Sequence, residues 1–386
     1  MTAETDVIII GAGPAGLAVG AVLRRANVPF VILERAERVG ESWHRHYDRL
    51  HLHTPKSHSA LPYRPYPSTY PRYPSRQQFV EYLNDYARTF EIEPEFGREM
   101  LRVARNADGA WEVNTNAGNY RGRRVVIATG YNRVPNLPRW PGQESFRGRI
   151  IHSSEYTNAK AFRDSRVLVV GFGNSGAEIA LDLAEHGVRC AIAVRGKVNV
   201  IPRELLGIPI VVFSLALRPL PTRVADRLTT LSRRLAIGDL SALGLTKRDD
   251  GPLTEVAEAR QIPMIDVGTL ARIRSGDIAV RKGVESFDGD EVRFADGTRE
   301  RFDAVVLATG FTTGLAAMLP DHASLLDTHG RPRASGREAA VTGLYFCGYD
   351  LSSTGMLRQI GIEASAIGRD IAARAQTGRG HLTIPH

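Results

Sequence analysis

The stretch DVIIIGAGPAGLAVGAVLRRANVPFVILER, residues 6–35, decides the fold. A run of β-branched residues leads into the pattern Gly11, Gly13 and Gly16, and small apolar residues follow it. The run predicts a buried strand, the glycines predict a tight turn, and the small residues predict a helix that leads to a second strand. The stretch therefore predicts a βαβ unit of the kind that binds dinucleotides.

Each glycine of this turn has a physical role. Gly11 permits the tight turn, Gly13 lets the backbone approach a pyrophosphate, and Gly16 packs the helix on the strand. The helix N-terminus then offers free N–H groups and its positive dipole to the phosphates. Glu34 ends the next strand, where its carboxylate can accept hydrogen bonds from a ribose diol.

A second stretch repeats the same order of features. It reads RVLVVGFGNSGAEIALDLAEHGVRCAIAVR, residues 166–195, and its glycines are Gly171, Gly173 and Gly176. Its second strand ends in Arg195, where the first stretch has an acid. An acid favours the free 2′-hydroxyl of FAD or NADH, whereas arginine favours the 2′-phosphate of NADPH through a charge-assisted contact. The two stretches thus predict an FAD site followed by an NADPH site.

Two similar strings mark the places where the chain changes domain. VVIATG and VVLATG, which end at Gly130 and Gly310, predict buried strands that lead into glycine turns. A strand at 344–347 and a helix at 355–375 should return the chain to the first domain. We therefore expect an α/β protein with two Rossmann-like dinucleotide-binding domains, the NADPH domain being inserted in a discontinuous FAD domain. The expected bounds are 1–158 and 300–386 for the FAD domain and 159–299 for the NADPH domain.

Residues 51–74 are rich in proline, tyrosine and histidine and predict a long irregular loop that serves a site. Residues 75–90 then predict a helix. The pattern His-x-His occurs twice in and before the loop, but no carboxylate or cysteine stands beside it at ligand spacing. We therefore expect no metal site.

A further stretch, residues 207–221, is apolar. It is too short for a membrane-spanning helix, which needs about 20 residues. It could be a lid over the substrate site, a dimer face or an interfacial membrane anchor. We expect no transmembrane segment, and the oligomeric state stays open with a homodimer as one alternative.

The composition narrows the functional class. The formal net charge of +8 comes mainly from arginines that are spread along the chain, so we expect no nucleic-acid partner. The two cysteines, Cys190 and Cys347, lie far apart, which excludes a disulfide framework and a CxxC redox pair. No signal peptide is evident at the N-terminus. These features favour a cytoplasmic protein.

The string FRGRIIHSSEY lies between the two glycine turns and fits F-x-G-x-x-x-H-x-x-x-Y through Phe146, Gly148, His152 and Tyr156. It resembles the fingerprint of the class B flavin monooxygenases, and it stands where that family has it. The strings LHLHTPKSHSALPYRPYPSTYPRYPSRQQFVEYL, VNVIPRELLG, LGLTKRDDGPL and IPMIDVGTLARIRSG are similar to the plant YUCCA subgroup. The resemblance covers nearly the whole chain.

The resemblance implies that NADPH reduces FAD, that O₂ adds to the reduced flavin, and that a flavin hydroperoxide oxygenates a small organic substrate. It favours oxidative decarboxylation of an aryl α-keto acid such as indole-3-pyruvate. The alternative is N- or S-oxygenation or Baeyer–Villiger oxidation of another small molecule. The flavin carries out the redox and oxygen chemistry, so the reaction requires no catalytic side chain that the sequence identifies. The candidates for a catalytic role are His53 and His152.

The glycine patterns and the resemblance together give two sets of cofactor residues. For FAD we expect Gly11, Gly13, Pro14, Ala15, Gly16, Glu34, Arg35, Ser42, Trp43, His53, Thr129, Gly130, Gly348 and Met356. For NADPH we expect Gly171, Gly173, Asn174, Ser175, Gly176, Arg195, Lys197, His152, Tyr156, Thr309 and Gly310. Two other classes share these domains. A reductase of the thioredoxin-reductase type would need a CxxC pair, and a non-catalytic flavoprotein would show no substrate-stimulated NADPH turnover.

Overall fold

A computed structural model describes residues 2–259 and 261–379. The chain divides into two compact units. The first unit is formed by the residues up to His44, by Pro55–Val134 and by the residues from Phe311 on, and the second is formed by Arg45–Thr54 and Pro135–Gly310. Met1, Arg260 and residues 380–386, which fall in the predicted domains, lie outside the described residues.

Strands and helices alternate along much of the chain. The strands of the described residues are β1 (Thr2–Ile10), β2 (Phe30–Leu33), β3 (Met100–Arg105), β4 (Trp111–Thr115), β5 (Gly118–Ile127), β6 (Val134–Pro135), β7 (Arg149–His152), β8 (Arg166–Val170), β9 (Arg189–Val194), β10 (Val200–Pro202), β11 (Glu204–Leu205), β12 (Ile208–Pro209), β13 (Met264–Asp266), β14 (Ile278–Lys282), β15 (Val284–Asp288), β16 (Glu291–Phe294), β17 (Arg299–Arg301), β18 (Ala304–Leu307), β19 (Phe311–Thr312) and β20 (Leu344–Phe346). The α-helices are α1 (Pro14–Arg25), α2 (Glu41–His44), α3 (Arg76–Thr89), α4 (Asn174–Glu185), α5 (Ile210–Leu217), α6 (Thr222–Ile237), α7 (Pro252–Thr254), α8 (Thr269–Arg274), α9 (Leu315–Met318) and α10 (Met356–Arg379).

The first unit is built on a mixed sheet in the order β2-β1-β5-β4-β3, with β20 beside β5. β1 runs parallel to β2 and β5, and Ile10 at its end pairs with Leu33 and Ile127. α1 packs against α10, where Gly368 lies so close to Val22 that any side chain would overlap with it. The ends of β1, β2 and β5 therefore lie side by side at the start of α1, as in dinucleotide-binding folds.

The helix predicted after the loop is confirmed as α3, and it begins with a capping box. Ser75 accepts a hydrogen bond from the Gln78 N–H, and the Gln78 side chain accepts one from the Ser75 N–H. The hydroxyls of Tyr82 and Tyr86 donate to carbonyl oxygens of the predicted loop 51–74, at 2.7 and 2.9 Å. Burial raises the pKa of Tyr82 to about 12. These bonds hold the loop on α3.

The second unit is built on a parallel sheet in the order β14-β9-β8-β18-β7. Alternate residues of β8 enter two different cores, Val167 and Val169 on the side of α4 and Leu168 and Val170 on the side of Phe287 in β15. A strand that is buried on both faces has to be apolar at every position. The continuous apolar run of the second stretch is therefore explained by its central place in this sheet.

The apolar segment 207–221 forms the end of a hairpin and a short helix. Leu206, between β11 and β12, has a φ angle of +53° and is 94% exposed. In α5 Val211 is buried and Val212 is exposed. Leu220, three residues after the end of the helix, is also exposed. Within the described residues no helix is both long and apolar enough to cross a membrane.

Candidate functional site

The glycine turn of the first unit joins β1 to α1. Gly11 has a φ angle of +107°, and a Cβ atom there would lie 2.6 Å from the carbonyl oxygen of Ala128. Gly16 lies so close to the carbonyl oxygen of Gly11 that any side chain would overlap with it. At Gly13 the same position is open, since no atom of the described residues beyond its neighbours lies within 4 Å. Packing thus requires the first and third glycines, and the second leaves a cradle that a Cβ atom would fill.

The start of α1 fits a phosphate group. Gly13 caps the helix with an extended backbone, and Pro14 follows at the first helical position. The first N–H groups of a helix have no partner within it and carry the positive end of its dipole. Pro14 has no N–H group, so it costs no hydrogen bond at this position. The first turn also contains no acidic residue, so an anion at this end meets no carboxylate of the helix.

Glu34 lies beside the same turn. Its Oε2 accepts a hydrogen bond of 2.8 Å from the Ala12 N–H, and its Oε1 accepts one of 2.9 Å from the Ala36 N–H. A carboxylate oxygen can accept a second hydrogen bond. The two backbone N–H groups therefore fix the position of the Glu34 carboxylate. Its oxygens can still accept hydrogen bonds from the hydroxyls of a ribose. Arg35, the next residue, is exposed.

Other residues predicted for FAD surround the same end of the sheet. The Thr129 hydroxyl lies 2.8 Å from the Tyr349 hydroxyl. A Cβ atom at Gly348, where φ is +88°, would lie 3.2 Å from Cβ of Ala15 on α1. Gly130 has a φ angle of +79° and open space around it. The first unit thus brings these residues together with its glycine turn.

The remaining FAD predictions lie on two helices of the first unit. Met356 is the first residue of α10 and follows Gly355, whose φ angle is +100°. Ser42 and Trp43 lie on α2, where Ser42 is exposed. Trp43 contacts the Phe79 ring edge-on, with ring centroids 4.3 Å apart. Trp43 is half-buried, so this packing leaves part of its ring accessible.

The second unit repeats the geometry of the first turn. Gly171 has a φ angle of +116° and lies against the carbonyl oxygen of Ala308, as Gly11 lies against Ala128. Gly176 has no room beside the carbonyl oxygen of Gly171, and Gly173 is open within 4 Å. The φ and ψ angles of Gly173 are −83° and −176°, against −81° and −175° in the first unit. The two units therefore present the same backbone cradle.

The charge beside the second cradle is the opposite of that beside the first. Arg195 follows β9 and is exposed, and within the described residues its guanidinium has no hydrogen bond or ion pair. Lys197 is also exposed, but its Nζ lies 2.5 Å from Oδ2 of Asp249. The Arg195 guanidinium can therefore bind a phosphate group, and its planar shape suits a charge-assisted bidentate contact.

Two residues at the start of α4 have protein partners. Asn174 accepts a hydrogen bond of 2.7 Å from the Ile265 N–H and donates one of 3.3 Å to the carbonyl oxygen of Pro263. Ser175 interacts with the phenol of Tyr47, where it opposes the rise in pKa that burial causes. The side chains of Asn174 and Ser175 therefore fix the start of the helix, and the backbone N–H groups of this turn are what it can offer to a nucleotide.

The first half of the fingerprint packs within the second unit. The Phe146 ring meets the Phe287 ring edge-on, with centroids 5.4 Å apart. Gly148 lies so close to the carbonyl oxygen of Asp303 that any side chain would overlap with it. Both positions are thus explained by packing against the strands and turns around β15 and β18.

Tyr156 ends the fingerprint and is buried. Its hydroxyl donates a hydrogen bond of 2.6 Å to Oδ2 of Asp182, which also accepts one from the Ala159 N–H. Burial and the Asp182 carboxylate raise the pKa of the Tyr156 phenol. Tyr156 therefore ties the chain after β7 to α4, and the structure places it in the core instead of at the open glycine turn.

His152 is also buried, at the end of β7. Its Nε2 lies 3.1 Å from the carbonyl oxygen of Gly310, and its Nδ1 lies 2.9 Å from the Ser154 hydroxyl and 3.2 Å from the Ser154 N–H. Because a carbonyl oxygen only accepts, Nε2 carries the proton and Nδ1 is the acceptor. Burial lowers the pKa of His152. Both nitrogens are engaged, so the ring holds the Gly310 turn and has no free nitrogen for proton transfer.

Thr309 and Gly310 are held in a second way. The Thr309 hydroxyl donates to the carbonyl oxygen of Asn136 at 2.6 Å, and the Asn136 N–H donates to the carbonyl oxygen of Gly310 at 2.9 Å. Gly310 has a φ angle of +83° and open space around it, like the corresponding glycine of the first unit. This turn is thus a hydrogen-bonded counterpart of the VVIATG turn at Gly130.

His53 belongs to the second unit, although it was predicted for FAD. Its Nε2 lies 2.6 Å from Oε1 of Glu178 on α4. Glu178 is almost completely buried and follows the glycine turn by only a few residues. The structure therefore groups His53 with the helix that follows the second cradle.

Two charged residues of the first unit were missed by the sequence analysis. Arg133 is 13% exposed and lies 3.5 Å from Glu99, and burial followed by the charge of Arg35 lowers its pKa. Glu363 on α10 accepts hydrogen bonds from the Gly348 N–H and the Ser335 hydroxyl, and burial raises its pKa. A charged residue three positions after an ATG string and an acid on the apolar face of a helix were the signals that could have identified them.

Cys190 and Cys347 are buried and unpaired, and burial raises the pKa of both thiols, that of Cys190 to about 12. In residues 2–259 and 261–379 no group of three or more histidine, cysteine, aspartate or glutamate residues is arranged to hold a metal ion.

Known proteins are similar to this chain in sequence and in fold. The family model for pyridine nucleotide-disulphide oxidoreductases matches residues 8–203. Indole-3-pyruvate monooxygenase YUCCA4 of Oryza sativa subsp. japonica is 39% identical over 385 residues, which cover 95% of this chain and 87% of that protein. A flavin-containing monooxygenase from Stenotrophomonas maltophilia has a TM-score of 0.73 at 23% identity, over 97% of this chain and 100% of that chain. An oxidized steroid monooxygenase bound to NADP has a TM-score of 0.79 at 19% identity, over 98% and 87%.

These likenesses confirm the predicted enzyme class, the predicted cofactors and the fold with two dinucleotide-binding domains. The two solved structures share the fold with two dinucleotide-binding domains. The identity with YUCCA4 extends over nearly the whole chain, and the two cradles with opposite neighbouring charges fit the cofactors FAD and NADPH. The chain therefore belongs to the YUCCA family of flavin-dependent monooxygenases.

Proposed function

We propose that this monooxygenase oxidatively decarboxylates an aryl α-keto acid, with indole-3-pyruvate as the favoured substrate and indole-3-acetate and CO₂ as products. The relative that supports this choice is named an indole-3-pyruvate monooxygenase and matches 95% of the chain. The alternative is N- or S-oxygenation or Baeyer–Villiger oxidation of another small molecule, because homologues of one fold diverge most readily in the substrate pocket.

One observation carries the assignment of the cofactors to their sites. The two glycine turns have the same backbone geometry, but Glu34 stands beside the first and Arg195 beside the second. A carboxylate receives a ribose diol and excludes a 2′-phosphate, whereas a free guanidinium binds that phosphate. We therefore assign FAD to the first unit and NADPH to the second.

In the first unit the residues of the cradle would bind and orient FAD. The N–H groups at the start of α1 would bind the pyrophosphate, and Glu34 would bind the adenosine ribose. The turns at Gly130 and Gly348 would border the cofactor, and the start of α10 at Met356 would point its N–H groups towards the flavin. When bound, FAD accepts a hydride from NADPH and in its reduced form activates O₂.

In the second unit the start of α4 would bind the pyrophosphate of NADPH, and Arg195 would bind the 2′-phosphate. Lys197 would add positive charge beside it, although it already has a carboxylate partner. His152 and Tyr156 would act by holding the backbone around Gly310 and α4 in place. This assignment makes both fingerprint residues structural supports of the NADPH site.

We also propose that the NADPH domain is inserted in a discontinuous FAD domain, with bounds near 1–158 and 300–386 for FAD and 159–299 for NADPH. The first unit comes from three separate parts of the chain, and most of the second unit is the single stretch 135–310 between two of them, which supports an insertion. The unit boundaries lie at 134/135 and 310/311, and residues 45–54 join the second unit. Limited proteolysis with and without NADPH would test which residues the nucleotide protects.

The cellular setting is part of the proposal. Free cysteines persist in a reducing compartment, and the two buried thiols support a location in the cytoplasm. The exposed apolar residues around α5 are compatible with a homodimer face. Sedimentation of the purified protein over a range of concentrations would decide between monomer and dimer.

The deciding experiment is turnover of the purified yellow protein with NADPH, O₂ and indole-3-pyruvate. We expect substrate-dependent NADPH consumption, release of CO₂ and formation of indole-3-acetate, identified by mass. Formation of a product that has gained oxygen without loss of CO₂ would favour the alternative reactions. NADPH consumption that no substrate stimulates would contradict the proposed function. Phenylpyruvate, which is also an aryl α-keto acid, would show whether the indole ring is required.

A further inference from the structure

Residues 45–54 are a short part of the second unit, although both of their ends continue into the first. Tyr47 and Leu50 of this segment pack in the core beneath α4. The Asp48 N–H donates a hydrogen bond of 2.9 Å to the carbonyl oxygen of Thr157. The segment is thus fixed to the second unit by its backbone and by its apolar side chains.

The polar contacts of the segment converge on one buried carboxylate. Glu178 on α4 is 2% exposed. Its Oε1 lies 2.6 Å from His53 Nε2 and accepts a hydrogen bond of 3.2 Å from the Tyr47 hydroxyl, and its Oε2 lies 3.6 Å from Arg49 Nη1. Within the described residues all polar partners of the Glu178 side chain come from the 45–54 segment.

A buried carboxylate is stable only when charged or polar donors replace the water that it has lost. Here the donors are side chains of a separate segment. The buried carboxylate therefore depends on the segment for its hydrogen bonds, and the same bonds hold the segment on α4. Arg49 also pairs with Glu185, about two helical turns further along α4, at 2.8 and 2.9 Å, but that carboxylate is partly exposed. The buried contact is therefore the one that fixes where His53 lies.

We propose that Glu178 is a positioning residue for the reduction of FAD by NADPH: it holds the 45–54 segment, and with it His53, on the helix that follows the NADPH cradle. The inference rests on the proposed function. α4 carries the cradle at its N-terminus and Glu178 near its first turns, so a nucleotide at the cradle and the segment are held by the same helix. The segment follows directly after α2, which carries Trp43.

The test measures reduction of the flavin by NADPH without O₂, in rapid-mixing experiments on the FAD-loaded protein. In Glu178→Gln the volume is kept and the charge is lost. We expect the limiting rate of reduction to fall at least about 10-fold while the half-saturating NADPH concentration changes less than about 3-fold. A residue that bound NADPH directly would shift the half-saturating concentration instead. A limiting rate within about 2-fold of the wild type would overturn the proposal.

The partner residue supplies a second test that does not depend on the folding of Glu178→Gln. His53→Leu removes the contact and should lower the limiting rate to a similar extent. His53→Gln places an amide nitrogen near the position of Nε2 and should retain most of the rate. If His53→Leu and His53→Gln are equally slow, or if both are as fast as the wild type, the positioning role of the contact is wrong.

A double-mutant cycle and a matched control complete the design. Because the two residues act through one contact, the double variant of Glu178→Gln and His53→Leu should be no slower than the slower single variant. Multiplied effects would contradict the proposal. Glu185→Gln removes the exposed partner of Arg49 from the same helix and should keep the rate within about 2-fold. If the wild-type protein itself is not reduced by NADPH, the proposed function fails and not the positioning role alone.

Discussion

His152 donates a hydrogen bond of 3.1 Å from Nε2 to the carbonyl oxygen of Gly310, and its other nitrogen is an acceptor. The buried ring is therefore neutral, and burial lowers its pKa. In the unfolded chain the pKa of histidine returns to about 6.5. Between the two pKa values the unfolded chain binds more protons. The contribution of His152 to stability is thus complete above about pH 6.5 and is lost as the pH falls towards the folded pKa.

This linkage predicts a pH-dependent melting temperature. The melting temperature of the wild type should fall between about pH 7.5 and about pH 5.5, and it should fall less in His152→Gln, whose amide can donate to Gly310 without titrating. Thermal unfolding followed by circular dichroism at each pH provides the measurement. The exposed His329→Gln variant serves as the control and should keep the wild-type slope. Equal slopes in His152→Gln and the wild type would refute the linkage.

Gly173, which caps α4, and Gly176, in its first turn, should respond differently to alanine. Gly176→Ala forces a methyl group against the carbonyl oxygen of Gly171 and should lower the free energy of unfolding by about 1–3 kcal/mol. Gly173→Ala meets open space, so it should leave the stability nearly unchanged. It fills the cradle, and the half-saturating NADPH concentration should rise about 10-fold. Denaturant unfolding and NADPH titrations of both variants separate the two effects.

Arg195→Ala should distinguish NADPH from NADH. Loss of a charge-assisted contact with the 2′-phosphate should raise the KM for NADPH about 10- to 100-fold and leave the KM for NADH within about 2-fold. Steady-state oxidation of each cofactor provides the values. Arg189→Ala changes an exposed arginine at the other end of β9 and should alter neither KM. An equal rise for both cofactors in Arg195→Ala would contradict its assignment to the 2′-phosphate.

Glu34→Gln should weaken the binding of FAD. The carboxylate accepts hydrogen bonds from the N–H groups of Ala12 and Ala36, and an amide can accept only one of them without placing an NH₂ group against an N–H. We expect the dissociation constant of FAD to rise about 10-fold or more. The ratio of flavin to protein absorbance after gel filtration measures the loss. Glu37→Gln, at an exposed site nearby, should retain a full complement of FAD.

The features that neighbouring residues dictate could be predicted from the sequence. The turns at Gly11 and Gly171 follow from their positive φ angles and from the close approach of Gly16 and Gly176 to them, which involve residues within one βαβ unit. The start of α3 follows from Ser75 and Gln78, which are three residues apart. Such short-range geometry leaves a readable spacing in the chain.

The contacts that join distant segments could not be predicted. His53 and Glu178 are separated by 125 positions, and no spacing rule states which helix a loop histidine meets. The fingerprint identified the family correctly, but a sequence motif does not show which contacts its residues make in the folded protein. His152 and Tyr156 were expected at the nucleotide, and the structure gives both of them protein partners in the interior.

The position of Tyr47 limits how this enzyme can be divided. Its ring is part of the core of the second unit, and it reaches that core from a segment whose neighbours on both sides belong to the first unit. A fragment that contains only residues 135–310 would lack the Tyr47 ring in its hydrophobic core. The buried Glu178 carboxylate would also lose its hydrogen-bond donors. Separately expressed halves are therefore a poor route to studying each nucleotide site. Truncations and chimeras of this chain therefore have to keep residues 45–54 together with α4, which the segment contacts.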